Sequence, residues 1–212
     1  MKKYFSMAAM LLATLVMNAQ TATSQSDEFE CGDNVNVSAT AQEHYHFVNW
    51  TSTDATRESE LNNNSAFDQS TRVVTSYIEG LNADVDATAN FAINQNKLII
   101  DPANASMGDV YEADGTTASQ YKTPGKDVDY GTSVTAVAVP ETCYKFVEWE
   151  VTTGSDEFKA AIASQLTSAS ITFDMPDEAI TLSAKFEKIK YTVTVSPNDD
   201  NMGTAATPTV RP

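Results

Sequence analysis

The sequence has few cysteines and few basic residues, and each shortage excludes a class of protein. Two cysteines in 212 residues cannot form the disulfide framework that is typical of small secreted domains. Lysine and arginine together number 13 against 29 aspartate and glutamate residues, which gives a formal net charge of −16. Because such a charge repels nucleic acid phosphates and anionic lipid headgroups, we expect neither as a partner.

Long apolar runs are also absent, apart from a short one near the start. Residues 1–19 contain two lysines, an apolar run from Met7 to Met17 and then the small residue Ala19. This pattern predicts a secretory signal peptide that is cleaved after Ala19, or alternatively after Ala22. The run is too short to span a bilayer comfortably, so we expect no membrane span after cleavage and a location at the cell surface, outside the cell or in the periplasm. Residues 20–30 form a polar lead.

One pattern of residues occurs twice and organises the chain. Residues 130–150, YGTSVTAVAVPETCYKFVEWE, match residues 31–51, CGDNVNVSATAQEHYHFVNWT, at a constant spacing and without a gap. The matched positions are Gly131 with Gly32, Val134 with Val35, Tyr144 with Tyr45, Phe146 with Phe47, Val147 with Val48 and Trp149 with Trp50. Internal matches of this length are the signature of a repeat protein.

Two further matches set the limits of the repeat. Residues 179–187 match residues 84–92, and residues 194–203 match residues 99–108, with a proline, a methionine and a glycine in register. We therefore predict three units: an incomplete unit 1 (31–97), a complete unit 2 (98–190) and the truncated start of unit 3 (191–212). A half unit cannot bury its apolar face alone, so we expect the sequence to be a fragment of a longer protein. If the half unit is instead complete, its strand is expected to pair with the incomplete front of unit 1 or with another chain.

Within each unit the apolar residues mostly alternate, which predicts strands of antiparallel sheets with a covered face. Val134, Ala136 and Ala138 fall on one face of their strand. In the next strand the same alternation assigns Phe146 and Trp149 to opposite faces. Turns are predicted where glycine supplies a positive φ, at Asp114-Gly115, Pro124-Gly125 and Met202-Gly203.

A helical segment interrupts this alternation in unit 2. Ser155 is a plausible N-cap, and Phe158, Ile162 and Leu166 recur at four-residue spacing, which predicts a helix over Ser155–Ser168. The corresponding segment of unit 1 is more polar and contains a run of asparagines, so we predict a shorter helix there. The fold class expected is mainly β, with small tandem domains and at most one short helix per unit.

These motifs resemble those of the divergent internalin-type B repeat, a bacterial surface repeat domain. The resemblance rests on residues spread through nearly all of unit 2: Gly131, Val134, Tyr144, Phe146, Trp149, Met175, Pro176, Ala184 and Phe186. Unit 1 keeps the corresponding residues Gly32, Val35, Tyr45, Phe47, Trp50, Ala89 and Phe91 but has IEGLNADV in place of the Met-Pro turn. The resemblance implies a β-grasp-like module, repeated in tandem on exported bacterial proteins, without catalytic residues.

A search of the reactive side chains yields no candidate catalytic or metal site. His44 and His46 are expected on the same face of a strand, but no third or fourth ligand is placed near them, so a pair of surface or partly packed histidines is favoured. No nucleophile motif surrounds Cys143, and whether it bridges to Cys31 stays open. We predict no enzyme activity, no metal and no cofactor.

Two further groups of residues are better explained by structure than by binding. Asn198, Asp199 and Asp200 offer oxygen ligands for calcium, yet they lack the spacing of a calcium loop and match turn chemistry. Trp50 and Trp149 offer stacking surfaces for sugars, yet a tryptophan at a fixed place in each unit is expected in the core.

Three functions remain. The leading one is a non-enzymatic exported repeat protein whose units act as a spacer or stalk. The second is an adhesin that binds host glycan or protein through the variable stretches 52–76 and 111–129, where Tyr111 and Tyr121 suggest an exposed aromatic patch. The third is an accessory region of a larger secreted hydrolase.

Overall fold

The computed structural model describes residues 27–197 and 204–209, which form two compact units. Of the described residues, the first unit comprises 27–96, 127–132 and 174–178, and the second comprises 97–126, 133–173, 179–197 and 204–209. Both are mainly β, as predicted. Among the described residues no helix is long and apolar enough to cross a membrane.

The first unit contains two small antiparallel sheets and one helix. Its elements are β1 (Val35–Thr40), β2 (Tyr45–Thr51), α1 (Ala55–Asn63), β3 (Ala66–Asp68), β4 (Val73–Ile78) and β5 (Thr88–Ile93). One sheet has the order β1-β4-β3, and the other pairs β2 with β5. Val35 and Val37 point into the core and alternate with exposed residues, as a strand with one covered face requires.

The second unit contains more strands. Its elements are β6 (Gln95–Pro102), β7 (Gly108–Tyr111), β8 (Lys126–Asp129), β9 (Ser133–Pro140), β10 (Tyr144–Thr153), α2 (Asp156–Ile162), a 3-10 turn (Ala163–Gln165), β11 (Ser170–Asp174) and β12 (Ile180–Lys188). β8 is shared between the two units, because residues 127–132 belong to the first. One sheet has the order β10-β12-β6-β8, and the other has the order β11-β9-β7. On β9, Val134, Ala136 and Ala138 are buried on one face, which confirms the predicted alternation.

One strand pair departs from the antiparallel pattern. β6 runs parallel to β12, with Leu98 opposite Ile180, Ile100 opposite Leu182 and Pro102 opposite Ala184. All of these residues except Pro102 are fully buried and form the centre of the core. A parallel pair needs a long connection, and here the connection is nearly the whole of the unit.

A β-bulge in β10 makes the predicted assignment of its side chains to two faces wrong. The register of β10 with β12 shifts between Phe146 and Glu148, so one extra residue is accommodated at Val147. The rings of Phe146 and Trp149 therefore pack on each other at 5.6 Å between centroids instead of lying on opposite faces. The first unit has the same shift between Phe47 and Asn49 and the same ring pair, Phe47 with Trp50 at 5.8 Å.

The helix of the second unit confirms the predicted start at Ser155 but is shorter than the predicted Ser155–Ser168. The Ser155 hydroxyl accepts a hydrogen bond from the Phe158 backbone N–H at 3.1 Å, as an N-cap does. Phe158 and Ile162 are buried, and the Phe158 ring packs edge-on against Phe173. The helix ends at Ile162 and continues into the 3-10 turn.

The helix of the first unit contradicts its prediction, because α1 is longer than α2. Its polar residues make specific contacts in place of an apolar face. The Asp54 side chain accepts from the backbone N–H groups of Thr56 and Arg57 at the N-terminus. The Asn62 side chain bonds the backbone N–H and C=O of Trp50, both at 2.8 Å, and only Leu61 on the helix is buried.

Arg57 also joins this helix to the segment that replaces the Met-Pro turn. Its guanidinium donates to the carbonyl of Glu79 at 2.9 Å, to the carbonyl of Gly80 at 3.3 Å and to the Asn82 side chain at 3.1 Å. The Glu79 backbone N–H in turn donates to the Glu60 carboxylate at 2.6 Å. Gly80 adopts φ +56, which favours glycine at this turn.

Candidate functional surfaces

The two tryptophans lie in the cores of their units. Trp50 and Trp149 are each 1% exposed, so neither offers a stacking surface to a sugar, as predicted. Their environments differ at one atom. Trp149 Nε1 donates to the carbonyl of Ser168 at 2.9 Å, whereas Trp50 Nε1 finds no acceptor among the described residues. A buried donor without an acceptor weakens the core that contains it.

His44 does not lie on a strand, so the predicted pairing with His46 on one strand face is wrong. His44 has φ +67 and precedes β2, within the first unit. Its ring stacks on Tyr130 at 3.6 Å between centroids, and its Nδ1 lies 3.0 Å from the Asp177 carboxylate. Partial burial raises the pKa of Asp177, but hydrogen bonds from Asn94, His44 and Asn96 outweigh it and hold that pKa below its usual value.

His46 has a separate partner. Its Nδ1 lies 3.1 Å from the side-chain oxygen of Asn94 in a partly buried position. Over the described stretches, no group of three or more histidine, cysteine, aspartate or glutamate side chains is arranged to hold a metal ion. Both histidines therefore have local packing partners that explain their positions. The acidic turn with Asn198, Asp199 and Asp200, and the turn at Met202-Gly203, lie outside the described residues.

Cys31 and Cys143 are both free and exposed, so they are not bridged to each other. Cys143 has φ +70 and stands at the position that His44 occupies in the first unit. A histidine and a cysteine at matching positions share the same left-handed conformation, so the turn before the central strand is a feature of the repeat.

The variable stretch of the second unit is not the exposed aromatic patch that the sequence suggested. Tyr121 is 8% exposed, and burial together with the nearby Glu112 raises the pKa of its hydroxyl. Tyr111 is partly buried at the end of β7, where it forms an isolated bridge with Ala118. A ligand surface of exposed tyrosines is therefore absent from this described stretch.

The turn at Asp114-Gly115 is held by the aspartate itself. The Asp114 carboxylate accepts from the backbone N–H groups of Thr116 and Thr117, both at 2.8 Å, and from the Thr117 hydroxyl at 2.6 Å. These bonds, led by that from the Thr117 hydroxyl, lower the pKa of Asp114 to about 2. Gly115 follows at φ +68, as the predicted turn requires.

A polar depression on the first unit is a binding candidate that sequence reasoning missed. It lies over β1 and β4 and the end of α1, has a volume of about 360 Å³ and is lined by Asn36, Ser38, Asn64, Thr75 and Tyr77, together with Val37 and Ser76. Asn36 faces Tyr77 across the strands, and Ser38 faces Thr75. Tyr77 is 40% exposed. The alternation of Asn36 and Ser38 with buried valines was the signal that these side chains point outward.

The side chains that line this depression are replaced in the second unit. On the matching face of β9, Thr135 stands where the first unit has Asn36, and its hydroxyl pairs with that of Thr172 at 2.9 Å. Val137 stands where the first unit has Ser38. The amide and aromatic groups are thus particular to the first unit.

The repeated framework corresponds to one known protein family. The profile of the divergent InlB B-repeat domain matches the chain twice, over residues 13–95 and 110–190, which is more than half of its length. The chain belongs to the divergent InlB B-repeat family. The second B-repeat match begins within β7, so β6 lies ahead of it. No curated protein and no solved structure has significant similarity to the chain.

Proposed function

We propose that this B-repeat chain is an exported, non-enzymatic surface or secreted protein whose units act as a spacer. The observation that carries the proposal is that the two units share their framework and differ in their surfaces. Both units have the bulge, the aromatic ring pair, the buried tryptophan and the left-handed turn at matching positions. Their surface residues differ: Cys143, Thr135 and Val137 of the second unit stand where the first has His44, Asn36 and Ser38. A spacer needs a folded framework in each unit and no common site.

Charge and the start of the chain support the same role. The formal net charge of −16 keeps an exported chain soluble and away from anionic surfaces. The lysines and apolar run of the first 19 residues are those of a secretory signal.

The proposal is tested on cells that produce the chain. Intact cells treated with a protease that cannot cross membranes should lose the chain while a cytosolic protein survives. Protection of the chain in intact cells would contradict surface display, and recovery from the culture medium would place it among secreted proteins.

Glycan binding by the first unit is a second candidate, because the depression over β1 and β4 combines amides, hydroxyls and a half-exposed tyrosine. Such groups bind sugars through hydrogen bonds and ring stacking. A glycan array probed with the exported chain should show selective binding that Tyr77→Ala abolishes. Tyr191→Ala removes a more exposed tyrosine and should leave binding unchanged. Equal loss in both variants would indicate non-specific adhesion to aromatic surfaces.

A further inference from the structure

Among the residues that the structure describes, the first unit has no counterpart of β6, a strand that completes the second. In the second unit β6 lies between β12 and β8 and pairs in parallel with residues 180–184. The sequence match aligns those residues with 85–89 of the first unit, and it aligns β8 with residues 27–30. Within the described residues, β5 pairs only with β2, and residues 27–30 form no strand.

The local backbone of the first unit reflects this missing partner. β12 begins at Ile180, but β5 begins at Thr88, three positions later in the alignment, so Val85, Asp86 and Ala87 belong to no strand. Val85 and Ala87 are nevertheless buried, like their counterparts Ile180 and Leu182. The chain is therefore oriented as in β12, and among the described residues this segment has no neighbouring strand on the side where β12 has β6.

The chain also contains a segment with the pattern of β6 and no strand partner in the described residues. Val193, Val195 and Pro197 align with Leu98, Ile100 and Pro102. In β6 the two aliphatic residues are fully buried, whereas Val193 is 68% and Val195 52% exposed, and neighbouring Tyr191 is 81% exposed. Residues 191–197 form no strand. An exposed alternating segment of this kind is suited to strand addition at a sheet edge.

We propose that residues 191–197 of one chain add to the first unit of a second copy, as a parallel strand beside residues 85–89. The register follows from β6 and β12: Val193 lies opposite Val85, Val195 opposite Ala87 and Pro197 opposite Ala89. The added strand would pair with the second copy in the same way as β6 pairs with β12 within one chain. Because donor and acceptor are different surfaces, the contact is head-to-tail and builds chains of copies or closed rings.

The first experiment measures the mass of the exported chain by light scattering over a range of concentrations. The expected result is association in whole multiples of one chain. Val193→Asp introduces a charge on the side of the strand that faces the core and should leave the chain monomeric. Thr192→Asp introduces the same charge next to it, at the position of exposed Lys97, and should associate like the parent. Circular dichroism shows that both variants keep the fold, since the substituted residues are exposed.

The second experiment tests the register with a cysteine pair, in a chain carrying Cys31→Ser and Cys143→Ser. Thr88→Cys with Ser196→Cys places the thiols opposite each other across the two copies, so oxidation should give a ladder of disulfide-linked multimers on a non-reducing gel. Thr88→Cys with Thr192→Cys displaces one thiol by four residues, about 13 Å along the strand, beyond the reach of a disulfide. It should remain largely uncrosslinked.

Four outcomes would overturn the proposal. They are a monomer at every concentration, association that persists in Val193→Asp, equal ladders from the matched and mismatched cysteine pairs, and a disulfide formed within a monomer. The last would mean that the segment fills the first unit of its own chain.

Discussion

The two units build the same aromatic core with different means of support. In the second, β6 fills the centre of the sheet, and Trp149 donates to a carbonyl. In the first, the described residues contain no counterpart of β6, Trp50 Nε1 has no acceptor among them, and polar side chains on α1 hold the helix in place. The comparison indicates that the repeat conserves the ring pair and its bulge, while the supporting contacts can be apolar or polar.

The strongest test of this comparison removes one tryptophan at a time. Trp149→Ala should destabilise the second unit by about 3–5 kcal/mol, and Trp50→Ala should do the same to the first, because both rings are fully buried. The chain has two tryptophans, so the fluorescence of the remaining one reports on the other unit during urea unfolding. If either substitution unfolds both units together, their cores are not independent.

Asn62→Ala should destabilise the first unit by about 2 kcal/mol, since it leaves the N–H and C=O of Trp50 without their partners. Asn63→Ala changes the exposed neighbouring amide and is expected to stay within about 0.5 kcal/mol of the parent. Chemical denaturation monitored at Trp50 measures both. Equal stability of the two variants would show that the polar contacts of α1 do not support this unit.

Replacing each tryptophan with phenylalanine tests whether the hydrogen bond of Nε1 distinguishes the two cores. Trp149→Phe loses the hydrogen bond to Ser168 as well as ring volume, whereas Trp50→Phe loses ring volume alone. We expect the former to cost about 1 kcal/mol more. Differential scanning calorimetry of the two variants gives the comparison, and equal costs would mean that Trp50 Nε1 is bonded in solution.

The smallest expected effect concerns the Asp114 turn of the second unit. Its pKa of about 2 lies below the ordinary 3.8, so the turn contributes stability that is present above about pH 4 and is lost as the pH falls towards 2. Titration of the carboxyl by NMR should show the low pKa, and Thr117→Val should raise it towards 3.8 by removing the hydroxyl donor. An unshifted pKa in the parent would contradict the observed turn.

Much of this fold followed from the sequence, because repetition shows which residues face the core. The tryptophan positions, the mainly-β class, the faces of β9 and the start of the helix after Ser155 were predicted correctly, whereas the end of that helix was placed too late. The bulge was missed because strict alternation cannot register an extra residue, and β6 was not predicted to be parallel because its partner lies far along the chain. The length of α1 was underestimated because side-chain bonds from Asp54 and Asn62 replaced the apolar face that a sequence pattern detects.

The candidate binding surface was harder to predict. Tyr121 was expected to be exposed because its stretch is polar, but it is buried. Tyr77 directly follows the variable stretch 52–76 and lies on β4, a strand that the sequence pattern did not reveal. Exposure at such positions depends on tertiary packing, which single-sequence patterns do not encode.

The parallel pairing of β6 with β12 determines how the second unit responds to mechanical force. In sequence order β6 is the first strand of the unit and β12 the last, and the two run in the same direction. Tension applied to the chain on either side of the unit therefore pulls β6 and β12 in opposite directions along their length. The hydrogen bonds between residues 98–102 and 180–184 are then loaded together in shear and do not open one after another. A module with this geometry resists stretching most strongly along the axis on which a tandem array would be pulled.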